Sequence, residues 1–194
     1  NNFMTKTIFS ALALATVLAF ASCNCKKNGE CAKAQAEQQV ADTTNATTQG
    51  EAQANDGSKF IDFTVPALDG KQVKLADVVA KNKITMVDFW ASWCGPCRME
   101  MPNVVEAYKQ FHDKGLEIVG VSLDESKKDW ETAVKDMGMN WIQTSDLKGW
   151  ECEAARLYGV RGIPACVLIN QKGEIVGRDL RAEELHARLA ELLK

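Results

Sequence analysis

The chain has 194 residues, which is enough for one domain with a hydrophobic core and additional segments. Its formal net charge of −3 argues against a nucleic-acid-binding protein, which would need a basic surface. Seven cysteines are a high count for a protein of a reducing compartment, and their spacing is irregular.

The N-terminal segment has the pattern of an export signal. Lys6 precedes an apolar run from Ile8 to Ala21, which is short for a bilayer span and has the length of a signal-peptide core. The run ends in Phe20-Ala21-Ser22-Cys23, which resembles a bacterial lipobox, although Phe20 stands where leucine is usual. We therefore expect a signal peptide over residues 1–22 and lipidation of Cys23. The alternative is an ordinary signal peptide that is cut nearby and leaves an unanchored protein.

Residues 23–58 are rich in Ala, Gln, Thr, Asn and Glu and contain almost no large apolar side chains. Such a composition cannot bury enough surface to fold, so a disordered lipoprotein tether is expected. As a random coil, it would reach roughly 30 Å. Cys25 and Cys31 lie in this tether, either as a small disulfide loop or as thiols without a role.

Two short strands are expected to open the folded domain, which we assign to residues 59–194. They cover Phe60–Val65 and Lys71–Leu75, with turn residues between them. A helical turn over Ala76–Lys81 should follow.

The next stretch reads as a buried strand, a tight turn and the start of a helix. Ile84–Trp90 is almost entirely apolar, as a central strand with both faces covered should be, and Asp88 is its polar exception. The sequence Cys94-Gly95-Pro96-Cys97 follows, with Pro96 suited to a first helical turn. Two cysteines three residues apart lie on one helix face, so a disulfide between them is geometrically possible.

This placement predicts thiol chemistry. The positive end of a helix dipole stabilises a thiolate, so Cys94 should be the nucleophile with a lowered pKa. Cys97 lies deeper and should be the resolving thiol. Asp88 should lie below the pair as a buried acid/base group that exchanges a proton with Cys97. A zinc half-site or a static disulfide is the alternative, but four-thiolate zinc needs a second close cysteine pair, and the only one lies in the tether.

The motifs also carry a family resemblance. WCGPC after a VDFW strand resembles thioredoxin, and the run Cys97-Arg98-Met99-Glu100-Met101-Pro102 resembles the TlpA/ResA branch of exported, membrane-tethered thiol–disulfide oxidoreductases. The resemblance covers roughly residues 60–194. It implies an α/β, thioredoxin-like fold in which helices flank a central mixed sheet, with an N-terminal β-hairpin and a central αβ insertion. It also implies that Glu100 acts as a further acid/base group; a surface glutamate that supports the helix is the alternative.

The remaining elements are expected in chain order after the active-site helix, which should run to about His112 with an interruption at Pro102. They are a strand at Leu116–Leu123, a helix at Ser126–Met137, a strand at Trp141–Thr144, a short helix at Glu151–Tyr158, strands at Ala165–Asn170 and Glu174–Arg178, and an amphipathic helix at Ala182–Lys194.

The run from Tyr158 to Pro164 resembles the thioredoxin segment that carries a cis-proline, which implies a cis bond before Pro164. Ile163 would then lie beside the cysteine pair, with its backbone available to an extended substrate. The expected substrate groove consists of Trp93, Gly95, Pro96, Ile163 and Pro164.

The sequence therefore predicts a monomeric thiol–disulfide oxidoreductase without metal or cofactor that reduces exported proteins, apocytochrome c among the open substrates. A membrane thiol donor would supply its electrons. The alternatives are a copper-binding chaperone, which on this fold uses C-x3-C and a distant histidine, and a thiol peroxidase, which needs P-x3-T-x2-C. His112 and His186 read as surface residues. Cys152 and Cys166 are either buried thiols or a second pair.

Overall fold

A five-stranded mixed sheet and a separate two-stranded hairpin organise residues 58–194, the part of the chain that the computed structural model describes. The predicted signal peptide, the lipidated Cys23, the tether, Cys25 and Cys31 lie outside the described residues. Within the described part, no helix has the length and hydrophobicity that a membrane crossing requires.

The strands and helices follow the predicted order. The strands are β1 (Thr64–Pro66), β2 (Gln72–Lys74), β3 (Ile84–Trp90), β4 (Leu116–Ser122), β5 (Ile142–Thr144), β6 (Ala165–Asn170) and β7 (Ile175–Arg178). The helices are α1 (Leu75–Lys81), α2 (Gly95–Phe111), α3 (Lys127–Asp136), α4 (Glu153–Leu157) and α5 (Ala182–Leu192), with 3₁₀ turns at His112–Lys114 and Gly149–Glu151.

Strand β3 is the centre of the sheet, whose order is β5-β4-β3-β6-β7. All seven of its residues are buried, which the apolar run predicts for a strand covered on both faces. It pairs with β4 in parallel and with β6 in antiparallel orientation. The prediction of Ile84–Trp90 as a central strand in a mixed sheet is confirmed.

Helix α2 begins directly after the first cysteine. Cys94 is its N-cap residue, and Pro96 lies in the first turn, where a missing N–H costs nothing. The helix continues through Pro102 to Phe111, so the expected interruption at Pro102 is wrong. It buries one face, which consists of Cys97, Met101, Val104, Ala107 and Phe111, and packs against α5.

The N-terminal segment differs from its predicted bounds, because β1 begins at Thr64 and not at Phe60. The backbone N–H of Phe60 donates to the Gly173 carbonyl in the β6–β7 turn, so this residue has a partner other than β2. At the other end of the hairpin, Ala67 forms a bridge with Thr144 of β5. The segment therefore contacts the sheet near both of its edge strands.

Candidate functional site

The two motif cysteines form a disulfide at the first turn of α2. Their Cα atoms are 5.3 Å apart, and the backbone N–H of Cys97 donates to Cys94 Sγ at 3.1 Å. Cys94 is 4% exposed and Cys97 1% exposed, so both residues are buried, Cys97 slightly more than Cys94. A thiolate on Cys94 would receive the same backbone hydrogen bond and would lie at the positive end of the helix.

The loop before β6 brings a second segment to the disulfide. The Ile163–Pro164 peptide bond is cis, which confirms the prediction for Pro164. Cys94 Sγ lies 3.7 Å from the Ile163 carbonyl oxygen, so the two segments are in direct contact. Trp93, Gly95 and Pro96 are exposed beside the disulfide, and Ile163 and Pro164 are partly exposed. The five predicted groove residues therefore lie on two adjoining segments, the loop and first turn at the start of α2 and the loop before β6.

Asp88 is a buried residue of the central strand β3. It is 3% exposed, and it pairs with Gly120 of β4 and Cys166 of β6 across the sheet. Burial raises the pKa of Asp88 to about 7; Arg181 opposes this effect and the charge of Glu100 adds to it. No described residue hydrogen bonds to Asp88 Oδ2.

The β4 neighbour of Asp88 is Gly120, and the side chain of Gln143 occupies the space that a larger residue would fill there. A Cβ on Gly120 would approach Gln143 Oε1 to 2.6 Å, so the amide of Gln143 lies over the glycine. Paired residues of adjacent strands share a face, which places this amide on the same face as Asp88. Gln143 is 4% exposed, and its amide atoms have no hydrogen-bond partner among the described residues.

Glu100 is held in place at both carboxylate oxygens. Oε1 accepts a hydrogen bond of 2.7 Å from the backbone N–H of Ala182, the first residue of α5, and Oε2 accepts one of 3.1 Å from Asn103. A carboxylate at a helix N-terminus stabilises that helix. Glu100 thus joins α2 to α5, and it is close enough to Asp88 to influence its charge.

Asp124 fixes the loop that precedes Cys94, a role that the sequence pattern did not suggest. It is 1% exposed, and its carboxylate accepts hydrogen bonds from the backbone N–H of Ser92 at 3.0 Å and from the Ser92 hydroxyl at 2.6 Å. The hydroxyl of Ser122 donates to the same carboxylate at 2.6 Å. The carboxylate lies 32 residues from Ser92 in the chain, so no local motif could have revealed the contact.

Arg181 and Trp150 are two further neighbours of the site that sequence reasoning missed. The guanidinium of Arg181 donates to the carbonyl of Pro164, which ties the α5 end of the domain to the cis-proline loop. The ring of Trp150 lies 6.3 Å from that of Trp93, and both rings are largely exposed. An arginine after a strand and a tryptophan in a short 3₁₀ turn are too common to be assigned from a single sequence.

Cys152 and Cys166 are free, buried thiols, in agreement with the first of the two predicted alternatives. Cys166 Sγ donates to the Leu180 carbonyl at 3.4 Å, and burial raises the pKa of this thiol to about 12.

Both ring nitrogens of His186 contact protein atoms, Gln110 Oε1 and the Asn103 carbonyl, each at 3.2 Å. Within the described part of the chain, no group of three or more His, Cys, Asp and Glu side chains is placed to hold a metal ion.

Comparison with known proteins gives a consistent result. Residues 57–178 match the model of the AhpC/TSA family. The chain is 33% identical over 132 residues to thiol–disulfide oxidoreductase ResA of Bacillus subtilis. The aligned segment covers 68% of this chain and 71% of the relative.

Solved structures give the same result. The thioredoxin domain of a thiol–disulfide oxidoreductase from Bacteroides vulgatus superposes with a TM-score of 0.66 at 33% identity, and covers 71% of this chain and 97% of that chain. A thiol–disulfide oxidoreductase from Bacteroides fragilis has a TM-score of 0.66 at 30% identity, with 70% and 100% coverage. The thioredoxin-like fold expected from the motifs is confirmed.

Proposed function

The chain belongs to the AhpC/TSA family and is a thioredoxin-like thiol–disulfide oxidoreductase, and on this premise we propose that it reduces disulfides of exported proteins through Cys94 and Cys97. The observation that carries the proposal is the disulfide at the helix N-terminus, in contact with the cis-proline loop. A Gly-Pro pair between the cysteines resembles the reducing thioredoxins, which favours reduction as the direction.

The reaction runs in two exchange steps. The Cys94 thiolate attacks one sulfur of the substrate disulfide, forms a mixed disulfide and releases the other substrate sulfur as a thiolate. The Cys97 thiolate then attacks Cys94 Sγ, which forms the Cys94–Cys97 disulfide and releases the second substrate thiolate. The enzyme is now oxidised by two electrons, and a thiol donor must reduce it before the next cycle.

Asp88 supports the second step. Cys97 must lose its proton before it can attack, and burial disfavours its charged form. A carboxyl whose burial raises its pKa to about 7 can accept a proton near neutral pH. We assign Asp88 as this base; Glu100, whose oxygens are both occupied, acts through its charge on Asp88.

Trapping the mixed disulfide tests the assignment of the two thiols. Cys97→Ser incubated with an oxidised protein should accumulate a covalent complex on a non-reducing gel, because the attacking thiol is present and the resolving thiol is absent. Cys94→Ser should form no complex and should be inactive. Accumulation in Cys94→Ser instead would reverse the assignment of nucleophile and resolving thiol.

We place the domain outside the cytoplasm, on a lipid anchor at Cys23, with electrons from a membrane thiol donor. The apolar run that ends in Ala21-Ser22-Cys23 supports this location. Mass spectrometry of the mature N-terminus should find a lipidated Cys23. A free, unmodified N-terminus beyond Cys23 would contradict the anchor and would leave the redox chemistry unaffected.

Apocytochrome c is one substrate within this proposal, and the wider class is oxidised exported protein. A thiol peroxidase is disfavoured, because the residues before Cys94 lack the P-x3-T-x2-C pattern. Consumption of peroxide by the reduced protein without an external dithiol carrier would overturn this preference.

A further inference from the structure

A cavity opens beside the cis-proline loop. Its volume is about 420 Å³, which is within the range of ligand sites. Pro164 forms part of its wall, and the adjacent residue Ile163 contacts Cys94 Sγ. A substrate chain that crosses Ile163 would therefore reach this cavity within a few residues of its reacting cysteine, at ~3.3 Å per extended residue.

The cavity is positively charged on an acidic protein. Its charged lining residues are Arg161, Arg178, Asp179 and Arg181, three cations against one anion, whereas the whole chain carries a formal charge of −3. The single carboxylate is also turned toward the backbone, because Asp179 Oδ1 accepts a hydrogen bond of 3.1 Å from the N–H of Cys166. The positive charge of the cavity is thus only partly neutralised by its own lining.

Two of the arginines have donors to offer. Arg161 is exposed, and no described residue hydrogen bonds or forms an ion pair with its guanidinium. Arg181 is partly buried and donates to the Pro164 carbonyl, which uses only part of its five N–H donors. Planar guanidinium groups bind carboxylates in particular, through paired hydrogen bonds.

We propose that this cavity binds a carboxylate of the substrate polypeptide, about two to four residues from the cysteine that Cys94 attacks. The carboxylate belongs either to a Glu or Asp side chain or to a free C-terminus. The inference rests on the proposed function and adds a substrate preference to it. Arg161 is the principal contact, and Arg181 joins the bound carboxylate to the cis-proline loop.

Matched peptides test the preference in a single turnover. Each peptide carries one cysteine as a mixed disulfide with uncharged 2-thiopyridine and either Glu or Gln three residues away, with both termini blocked. A third peptide has Gln but ends in a free carboxylate at that distance. The Cys94 thiolate attacks the peptide sulfur, and pyridine-2-thione leaves and is followed by its absorbance. Resolution by Cys97 then releases the peptide thiol.

The reduced full-length protein should react about three- to fivefold faster with at least one carboxylate peptide than with the blocked Gln peptide at low salt. The difference should shrink at high ionic strength, because salt screens exposed charges. The two carboxylate peptides distinguish a side-chain source from a C-terminal one. Equal rates for all three peptides would overturn the cavity proposal, whereas no reaction with any peptide would overturn the proposed function itself.

Variants locate the effect. Arg161→Gln should bring the ratio of rates close to one, and Arg161→Lys should keep most of it, because the charge is retained. Arg156→Gln is the matched control, since this exposed arginine on α4 does not line the cavity and should leave the ratio unchanged. An unaltered ratio in Arg161→Gln would contradict the assignment.

Discussion

Asp88 combines two properties that oppose each other in a folded protein, a buried position and an ionisable group. Its neighbours compensate for this only in part, because Arg181 lowers the pKa of Asp88 while burial and Glu100 raise it. The β4 position beside it is Gly120, which supplies no countercharge. The protonated form of Asp88 is therefore favoured up to about neutral pH, with a consequence for stability.

We expect Asp88→Asn to stabilise the oxidised protein in a pH-dependent way. At pH values well below 3.8, the ordinary pKa of this carboxyl, Asp88 is protonated in the folded and unfolded states and contributes nothing. As pH rises toward 7, the unfolded carboxyl ionises first, so the wild type loses stability that the asparagine variant keeps. The gain in free energy of unfolding should reach about 2–4 kcal/mol at pH 8.

Chemical denaturation at pH 4 and pH 8 measures this gain. Asp77→Asn, at an exposed position on α1, is the control and should show no comparable pH dependence. Equal stability of Asp88→Asn and wild type at pH 8 would mean that the carboxyl is less perturbed than its burial implies. The same variant should resolve mixed disulfides more slowly while forming them at a rate near that of the wild type.

Sequence reasoning found the residues whose signals are local. The apolar run of β3, the Cys-Gly-Pro-Cys turn and the proline before β6 each identify themselves within a few positions. The contacts of Asp124 with Ser92, of Glu100 with Ala182 and of Arg181 with Pro164 span 32, 82 and 17 residues. No pattern in a single sequence reports such pairings, since they arise only when the sheet brings distant segments together.

At the scale of elements, the active-site loop depends on β4 as well as on β3. Asp124 follows β4 and accepts three hydrogen bonds, two of them from Ser92 in the loop before Cys94. Parallel strands place their carboxyl ends at the same edge of a sheet, which brings the two loops together. Asp124 is thus a positioning residue for the first cysteine.

We expect Asp124→Ala to leave the Ser92 and Ser122 donors without their acceptor, at a cost of about 2–3 kcal/mol in stability. The rate of mixed-disulfide formation should fall by about tenfold, because the loop no longer holds Cys94 in place. Asp124→Asn retains one acceptor oxygen, so its stability and its rate of mixed-disulfide formation should lie between those of the wild type and of Asp124→Ala. The pH profile of Cys94 alkylation separates loss of positioning from simple destabilisation, and a profile identical to wild type in Asp124→Ala would contradict this role.

The bounds of elements were less predictable than their existence. The pattern of Phe60–Val65 favoured one continuous strand, but only Thr64–Pro66 pairs with β2. Ile61, within the same run, has the Tyr158 hydroxyl as its partner, which accepts from its N–H at 3.2 Å and donates to its carbonyl at 2.8 Å. A short run rich in apolar residues indicates extended backbone without revealing which partner the backbone finds.

At the scale of the molecule, the N-terminal segment packs against the core of the domain. Phe63 is 7% exposed, and its ring meets that of Tyr158 edge to face, with centroids 5.9 Å apart. Phe63→Ala should cost about 3–4 kcal/mol, because it leaves a cavity under the segment. Ile61→Ala, at a position that is 45% exposed, is the control and should lose much less stability. Thermal unfolding of both variants measures the difference. Similar losses for both variants would show that the segment contributes little to the core.

The described part of the chain enters the domain at the end of the sheet opposite to the disulfide. Ser58 accepts a hydrogen bond from Ile175 at the end of the sheet where β3 begins, and Cys94 follows the other end of β3. Seven residues of strand separate these ends by ~23 Å. An attachment at the Ser58 end of the domain therefore leaves the disulfide, at the far end of the sheet, uncovered.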